Sequence, residues 1–119
     1  MLVNYDDASR IAIKWFLAYF NFEVHSARTG EEALALFDPT LHDLIITNNS
    51  LPGMNGQELA HIIKLRAPKT PVIVFAGELP TNSDCLDRVI VKPTQLLLLQ
   101  ETIEALLRPS FEAVERNQP

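Results

Sequence analysis

Several residue types are scarce in this 119-residue chain, and each scarcity excludes a class of protein. The single cysteine, Cys85, has no partner for an internal disulfide, which suits a reducing cytoplasm. No apolar run approaches the roughly 20 residues that a membrane-spanning helix needs, and the amino terminus lacks the basic and apolar regions of a signal peptide. Ten Lys and Arg against 15 Asp and Glu give a net charge of -5, so we expect neither a nucleic-acid nor a membrane partner.

Motifs for catalysis and cofactor binding are also missing. There is no Walker-type, GxGxxG or GxSxG sequence. His25, His42 and His61 are far apart and show no metal-ligand spacing with one another or with Cys85, so we expect them at the surface or at strand edges. The sequence therefore predicts neither an enzyme nor a protein with a metal or another cofactor.

Apolar runs alternate with amphipathic segments along the chain. Apolar residues at helical spacing favour helices, Thr29 and Glu32 form a capping-box pattern, and continuous apolar runs favour strands that are buried on both faces. The predicted elements, in order, are a strand at 1–3, a helix at about 8–20, a strand at 22–27, a helix from Thr29 to the stop at Asp38-Pro39, a strand at 44–46, a helix around 59–65, strands at 71–75 and 89–91, and a last helix around 96–107.

This alternation of strands and helices predicts an α/β fold with a parallel sheet and helices on both faces. Functional sites in such sheets lie beyond the carboxyl ends of the strands. We therefore expect any chemistry at Asn4-Tyr5, Asn48, Ala76 and Lys92, which end or follow the predicted strands.

Four sequence segments together resemble the response-regulator receiver domain. They are Asp43–Gly56 (DLIITNNSLPGMNG), Pro71-Val-Ile-Val, Val91-Lys-Pro93 and Gly30-Glu-Glu-Ala-Leu34. The resemblance extends from Leu2 to about Leu107, and we predict a receiver-like domain at 1–108 with a tail or linker start at 109–119. It implies a three-layer, flavodoxin-like (CheY-like), doubly wound fold with five parallel strands in the order 2-1-3-4-5, and a role in two-component, phosphorelay signal transduction.

In the receiver family, a phosphoryl-accepting aspartate is surrounded by an acidic pair that holds magnesium, a hydroxyl, a switch aromatic and a lysine. The acceptor position is Asn48 here, and an amide has no anionic oxygen that attacks a phosphohistidine. The other positions are Asn4 and Tyr5 for the acidic pair, Ala76 for the hydroxyl, Val89 for the aromatic and Lys92 for the lysine.

The resemblance thus implies a degenerate receiver, a pseudo-receiver without phosphorylation. Such a domain acts through protein-protein interaction, with a histidine kinase, another regulator or a second copy as the partner. It would work in the cytoplasm.

Two alternatives remain open at this point. Asp6-Asp7 lies two residues beyond the aligned pair and is a candidate acidic pair, or a phosphate acceptor in an altered geometry. Counting back from Asn21-Phe22, with Arg10 at a frequent family arginine, favours the Asn4-Tyr5 register. A flavodoxin-like small-molecule binder is a weaker alternative, because the segment from Tyr5 to Arg10 lacks a glycine-rich phosphate loop.

Two further features concern partner surfaces. The segment Gly77–Arg88 is short and contains Pro80, so we expect the family's fourth helix to be shortened or missing. The first helix carries a second apolar stripe beside its core-facing one, which either packs on the last helix or meets a partner. That stripe consists of Ile11, Trp15, Ala18 and Tyr19.

Overall fold

Five strands and four helices make up the part of the chain that the computed structural model describes, which is residues 1–76, 88–91 and 96–107. In chain order they are β1 (Leu2–Val3), α1 (Asp7–Tyr19), β2 (Ser26–Ala27), α2 (Gly30–Leu36), β3 (Ile45–Asn48), α3 (Gly56–Arg66), β4 (Val72–Ala76), β5 (Arg88–Val91) and α4 (Leu96–Leu107).

The strands form one parallel sheet in the order β2-β1-β3-β4-β5. The chain moves outward from β1 to β2 and then returns past β1 to β3, so the winding direction reverses between β1 and β3. Ligand sites of doubly wound sheets lie outside the carboxyl ends of the strands at such a reversal. The predicted α/β fold with a parallel sheet is confirmed.

Both faces of the sheet are covered, which explains the continuous apolar runs. Along β3, Ile45 belongs to the core beside α2 and α3, whereas Ile46 belongs to the core beside α1 and α4. Val72 and Ile73 divide between the same two cores along β4, as the two-residue period of a strand requires. The result is a three-layer sandwich of helices, sheet and helices.

The second strand is shorter than predicted. Only Ser26–Ala27 pairs in the ladder, whereas the sequence suggested a strand over 22–27. Its partner β1 has only two residues, so no longer ladder forms on that side. Phe22 and Val24 are nevertheless half-buried and pack against the core beside α1 and α4.

Side-chain caps set the helix starts. The Thr29 hydroxyl accepts a hydrogen bond from the Glu32 N–H at 3.1 Å, which confirms the predicted start of α2. Asn55 and Glu58 form a full capping box at α3, because each side chain accepts from the other residue's backbone N–H.

Some predictions lie outside the described residues: the shortened fourth helix, the role of Lys92 and the tail at 109–119. Within the described ranges, no helix is both long and apolar enough to cross a lipid bilayer.

Candidate functional site

Asn48 is the last residue of β3 and lies at the carboxyl edge of the sheet, half-buried and paired with Phe75 of β4. On its other side, Val3 of β1 pairs with Thr47. Continuing that parallel register by one residue on each strand places Asn4 beside Asn48. The structure therefore brings two of the predicted site residues together at the winding reversal.

Asn4 holds the turn from β1 into α1. It is 1% exposed, and its side-chain Oδ1 accepts a hydrogen bond from the Asp6 N–H at 2.9 Å. Its carbonyl oxygen accepts from Arg10 Nη1 at 3.0 Å, and its N–H donates to the Ala27 carbonyl at 3.0 Å. The Asn4 side-chain oxygen is thus already a hydrogen-bond acceptor within the protein.

Tyr5 follows Asn4 beyond the end of β1. Half of it is exposed, and the Arg28 guanidinium carbon lies 5.2 Å from its ring centroid. This distance fits a cation–π contact. Tyr5 therefore stacks with a cation that follows β2.

The neighbouring carboxylates are bound by other protein groups. Asp6 caps α1, since its Oδ2 accepts from the Ser9 N–H at 2.8 Å. Asp7 Oδ1 lies 2.7 Å from Arg10 Nη2 and 3.5 Å from Arg28 Nε. The Arg10 hydrogen bond, helped by the Arg28 charge, holds the pKa of the Asp7 carboxyl below its usual value. Asp6 is therefore a helix cap, and Asp7 is part of an ion pair with arginine.

The loop from β3 to α3 is tied down by residues that sequence reasoning did not select. Asn49 Oδ1 accepts from the Gln57 N–H at 3.2 Å, and the Asn49 carbonyl accepts from the Gly56 N–H at 2.9 Å. A Cβ on Gly56 would lie 2.5 Å from the Asn48 carbonyl oxygen. These contacts fix the backbone at Asn48. The only sequence signal was the glycine three residues after Gly53 in the family-like segment.

Glu31 links the same loop to α2. Its Oε1 accepts from the Met54 N–H at 3.3 Å, next to Gly53, whose φ of 73° suits glycine. Glu31 lies in the first turn of α2, and its long-range contact has no signal in the sequence.

The two remaining strand positions are placed by the backbone. Ala76 is the last residue of β4 and pairs with Val91, and Val89 pairs with Val74 one strand further out. Alanine carries no hydroxyl and valine no aromatic ring, whatever their orientation.

The residues present do not fit magnesium. This cation takes six oxygen ligands and prefers carboxylates. The Asn4 oxygen is neutral and already accepts a hydrogen bond, Asp6 caps a helix, and Asp7 pairs with arginine. In the described part of the chain, no cluster of three His, Cys, Asp or Glu side chains has the arrangement of a metal site.

The stripe on α1 is exposed. Ile11, Trp15 and Tyr19 are 51%, 75% and 81% exposed, so the packing alternative on the last helix is wrong for these side chains. The opposite face of α1 makes the contacts with α4. On that face, Ile13 and Phe16 pack against the core that contains Ile103.

One histidine was placed wrongly by the sequence. His42 is 6% exposed, and its Nε2 lies 3.0 Å from Nδ1 of His25. The Asp38 N–H donates to His42 Nδ1 at 3.0 Å, so neutral His42 carries its proton on Nε2 and donates it to His25. His25 Nε2 then donates to Glu23 Oε1 at 3.3 Å. His25 and His42 are 17 residues apart in sequence, and they meet because the strands that follow them, β2 and β3, both pair with β1.

The histidine chain lies at the amino ends of the strands, opposite Asn48. A cavity of about 280 Å³ opens beside it, with Leu2, Leu44 and Ile46 among its walls. Burial, with the Met1 α-amino group and His25 adding to it, lowers the pKa of His42. The residues that line this cavity do not include the predicted site residues Asn4, Tyr5 and Asn48.

The fold and the comparison with known families define the class of protein. The model of the response regulator receiver domain matches residues 1–104, so the chain belongs to the response regulator receiver domain family.

Curated relatives agree with this assignment. Regulatory protein VanRB of Enterococcus faecalis is 32% identical over an alignment of 117 positions, which covers 92% of this chain and 52% of VanRB. Transcriptional regulatory protein AfsQ1 of Streptomyces coelicolor is also 32% identical over 117 residues, covering 91% of this chain and 50% of AfsQ1. The chain thus spans about half the length of these relatives.

Solved structures show the same fold. The response regulator TrrA of Thermotoga maritima, in complex with Mg²⁺ and BeF, superposes with a TM-score of 0.81 at 28% identity, over 89% of this chain and 96% of that one. The signal receiver domain of a signal transduction histidine kinase from Syntrophus aciditrophicus gives 0.78 at 25% identity, over 98% and 92%.

Proposed function

We propose that this receiver domain is a pseudo-receiver, which takes part in two-component signalling by binding a protein and without being phosphorylated at Asn48. The observation that carries the proposal is the position of Asn48 at the carboxyl end of β3, beside the winding reversal of the sheet.

The chemistry of the side chain supports this proposal. Formation of an acyl phosphate requires an anionic carboxylate oxygen that attacks phosphorus while the donor's bond to phosphorus breaks. The oxygen of Asn48 is neutral, and its lone pairs are delocalised into the amide, so it is a poor nucleophile.

The surroundings of Asn48 support it too. Without two carboxylates beside the acceptor there is no counter-charge to hold a dication, and without the dication the charge of an incoming phosphate is not offset. Asn4 serves the turn into α1, and Tyr5 stacks on Arg28. Ala76 provides no hydroxyl for a phosphoryl oxygen. Lys92 is the only member of the family's set that keeps its residue type.

Asp6 and Asp7, the alternative phosphate acceptors, both make contacts that stabilise the structure. Asp6 holds the first turn of α1 and Asp7 pairs with Arg10. Both follow β1 and face solvent. Their contacts favour a structural role over phosphate acceptance in an altered geometry.

The domain would then act in signalling by binding another protein. A histidine kinase, another regulator or a second copy of the chain are the candidates, and a cytoplasmic location follows from such partners. A receiver-like segment also occurs in sensor proteins, since Autoinducer 1 sensor kinase/phosphatase LuxN of Vibrio harveyi is 27% identical over 108 residues. No catalytic step by this chain is needed for such a role.

Titration calorimetry tests the proposal. The chain is titrated with beryllofluoride in the presence of magnesium chloride, with the Thermotoga maritima TrrA domain as the positive control, since TrrA was solved with both bound. We expect no saturable heat from this chain. Saturable, magnesium-dependent binding would contradict the proposal, and its loss in Asp6→Asn would then identify that carboxylate as the ligand.

A further inference from the structure

The solvent-exposed side of α1 is apolar, whereas the exposed side of a surface helix is ordinarily polar. At about 100° per residue, six apolar side chains fall within a stripe about 120° wide. Its members, which we call the α1 stripe, are Ala8, Ile11, Ala12, Trp15, Ala18 and Tyr19, and all six are exposed. The spacing Ala8, Ile11, Trp15, Ala18 is the alternating three-and-four step of helices that pair along a seam.

We propose that the α1 stripe is a self-association surface, on which α1 of a second copy packs antiparallel across a two-fold axis. This names the partner within the proposed function and so rests on it. The argument depends on the order of large and small side chains along the helix.

A two-fold axis that passes between Ile13 and Lys14, perpendicular to α1, brings Ala12 of one copy level with Trp15 of the other. The same operation brings Ala8 level with Tyr19. Because a two-fold contact is isologous, each pair occurs twice. Both aromatic rings of the α1 stripe therefore meet an alanine on the partner helix, and side chains that alternate in size interdigitate without voids.

The exposed area indicates how strong such a contact is. Aromatic side chains bury about 150–250 Å² each, and Trp15 and Tyr19 are 75% and 81% exposed. With Ile11 and the alanines, the stripe offers roughly 500 Å² per copy, below the about 800 Å² per partner of a standard stable interface. The expected product is a weak, concentration-dependent dimer.

Charge permits this contact. Within the stripe itself there is no ionisable group other than the Tyr19 phenol, and the nearest charged side chains, Asp7 and Lys14, lie on one flank. Asp7 is neutralised by Arg10 of the same chain. Two antiparallel helices also align their dipoles favourably.

Sedimentation velocity of the whole chain, without magnesium or a phosphate donor, is the test. We expect the weight-average sedimentation coefficient to rise between about 10 µM and about 1 mM, the range in which a small interface titrates. Trp15 is the only tryptophan, so its emission should shift to the blue over the same range.

Variants separate a specific pairing from general stickiness. Trp15→Ala should weaken association at least about tenfold, as for a central aromatic anchor, and Leu65→Ala on α3, which is 72% exposed, should leave it unchanged. Ala12→Trp should also weaken association, because it places two tryptophans at one level, and the double variant Ala12→Trp with Trp15→Ala should restore it.

Two results would overturn the inference: a monomer at every concentration, or stronger association in Ala12→Trp. Either would leave the beryllofluoride titration untouched, because that readout is made in a separate experiment. Conversely, saturable binding of beryllofluoride would overturn the proposed function and not the dimer. All substituted positions are exposed, and circular dichroism checks that each variant folds.

Discussion

The side-chain oxygen of Asn4 lies 2.9 Å from the backbone nitrogen of Asp6 and accepts its hydrogen. The bond closes the turn by which the chain leaves β1 and enters α1. We propose that Asn4, a buried amide that supports the backbone, stands where the receiver family has an acidic residue. The same turn then uses the next carboxylate, Asp6, as a helix cap.

The first prediction concerns Asp6. Asp6→Ala removes the bond to the Ser9 N–H and should lower the free energy of unfolding by about 1 kcal/mol, the usual cost of a lost cap. Asp6→Asn keeps an acceptor oxygen and should restore most of that stability. Urea denaturation measures both. If the two variants are equally destabilised, the charge of Asp6 matters more than its cap.

A second prediction concerns the backbone under Asn48. In Gly56→Ala the new methyl group would meet the Asn48 carbonyl oxygen and the Asn49 Cα at 2.5 and 2.9 Å. Both contacts are with backbone, so relief requires a shift of the β3–α3 loop, and we expect a loss of about 1–3 kcal/mol in unfolding free energy.

Gly30→Ala is the matched control for that variant. Its methyl group would meet the Met54 sulfur at 3.0 Å, and a flexible side chain moves more cheaply than backbone. Gly30→Ala should therefore cost less in thermal or urea denaturation. A larger loss in Gly30→Ala than in Gly56→Ala would contradict the assigned contact.

A third prediction follows from the histidine chain. Burial lowers the pKa of His42 in the folded chain, with the Met1 amine and His25 adding to the effect and Asp38 opposing it. Below the usual pKa of about 6.5, the unfolded chain takes up a proton that folded His42 resists. Stability should therefore be full above that pH and fall as the pH drops from about 6.5 toward the folded pKa.

His42→Asn tests this pH dependence. Asparagine keeps an acceptor for the Asp38 N–H but does not titrate, so the urea midpoint should fall less between pH 7.5 and 5.5 than in the natural chain. His61→Asn, at an exposed position on α3, is the control for removing a histidine outside this chain of contacts. An unchanged profile in His42→Asn would show that another group is responsible.

A fourth prediction concerns restoration of the acceptor. Asn48→Asp supplies the missing carboxylate but leaves Asn4, Tyr5 and Ala76 in place. We expect less than about a tenth of the acyl phosphate formed by TrrA under the same conditions, because charge compensation by a metal is still absent. Asn49→Asp, one residue along the loop, controls for a general effect of added charge. Phosphorylation comparable to TrrA would show that Asn48 alone accounts for the loss.

The sequence was enough for the α/β fold and for the edge of the sheet that holds the site. Leu44–Ile46 and Pro71–Phe75 are apolar without interruption, because both sides of each strand are covered, and the residues after them end up at one edge. Asn4 and Asn48 were assigned by their place after strands, and their proximity follows from parallel pairing.

The remainder depends on contacts between distant segments. His25 and His42 meet because β2 and β3 both pair with β1, and nothing local to either residue signals it. The exposure of Trp15 depends on how α1 crosses α4. Periodicity alone therefore did not distinguish packing on the last helix from exposure to a partner. Glu31 contacts the loop beyond β3 by accepting a hydrogen bond from the backbone N–H of Met54. Every residue type except proline would provide this N–H, so the identity of residue 54 gives no signal.

The most direct measurement is the intact mass of the chain after incubation with acetyl phosphate and magnesium. We predict that the mass stays that of the unmodified protein, in the natural chain and in Asp6→Asn alike, with TrrA treated in parallel as the comparison. A magnesium-dependent gain of one phosphoryl mass in the natural chain would contradict the assignment of a pseudo-receiver.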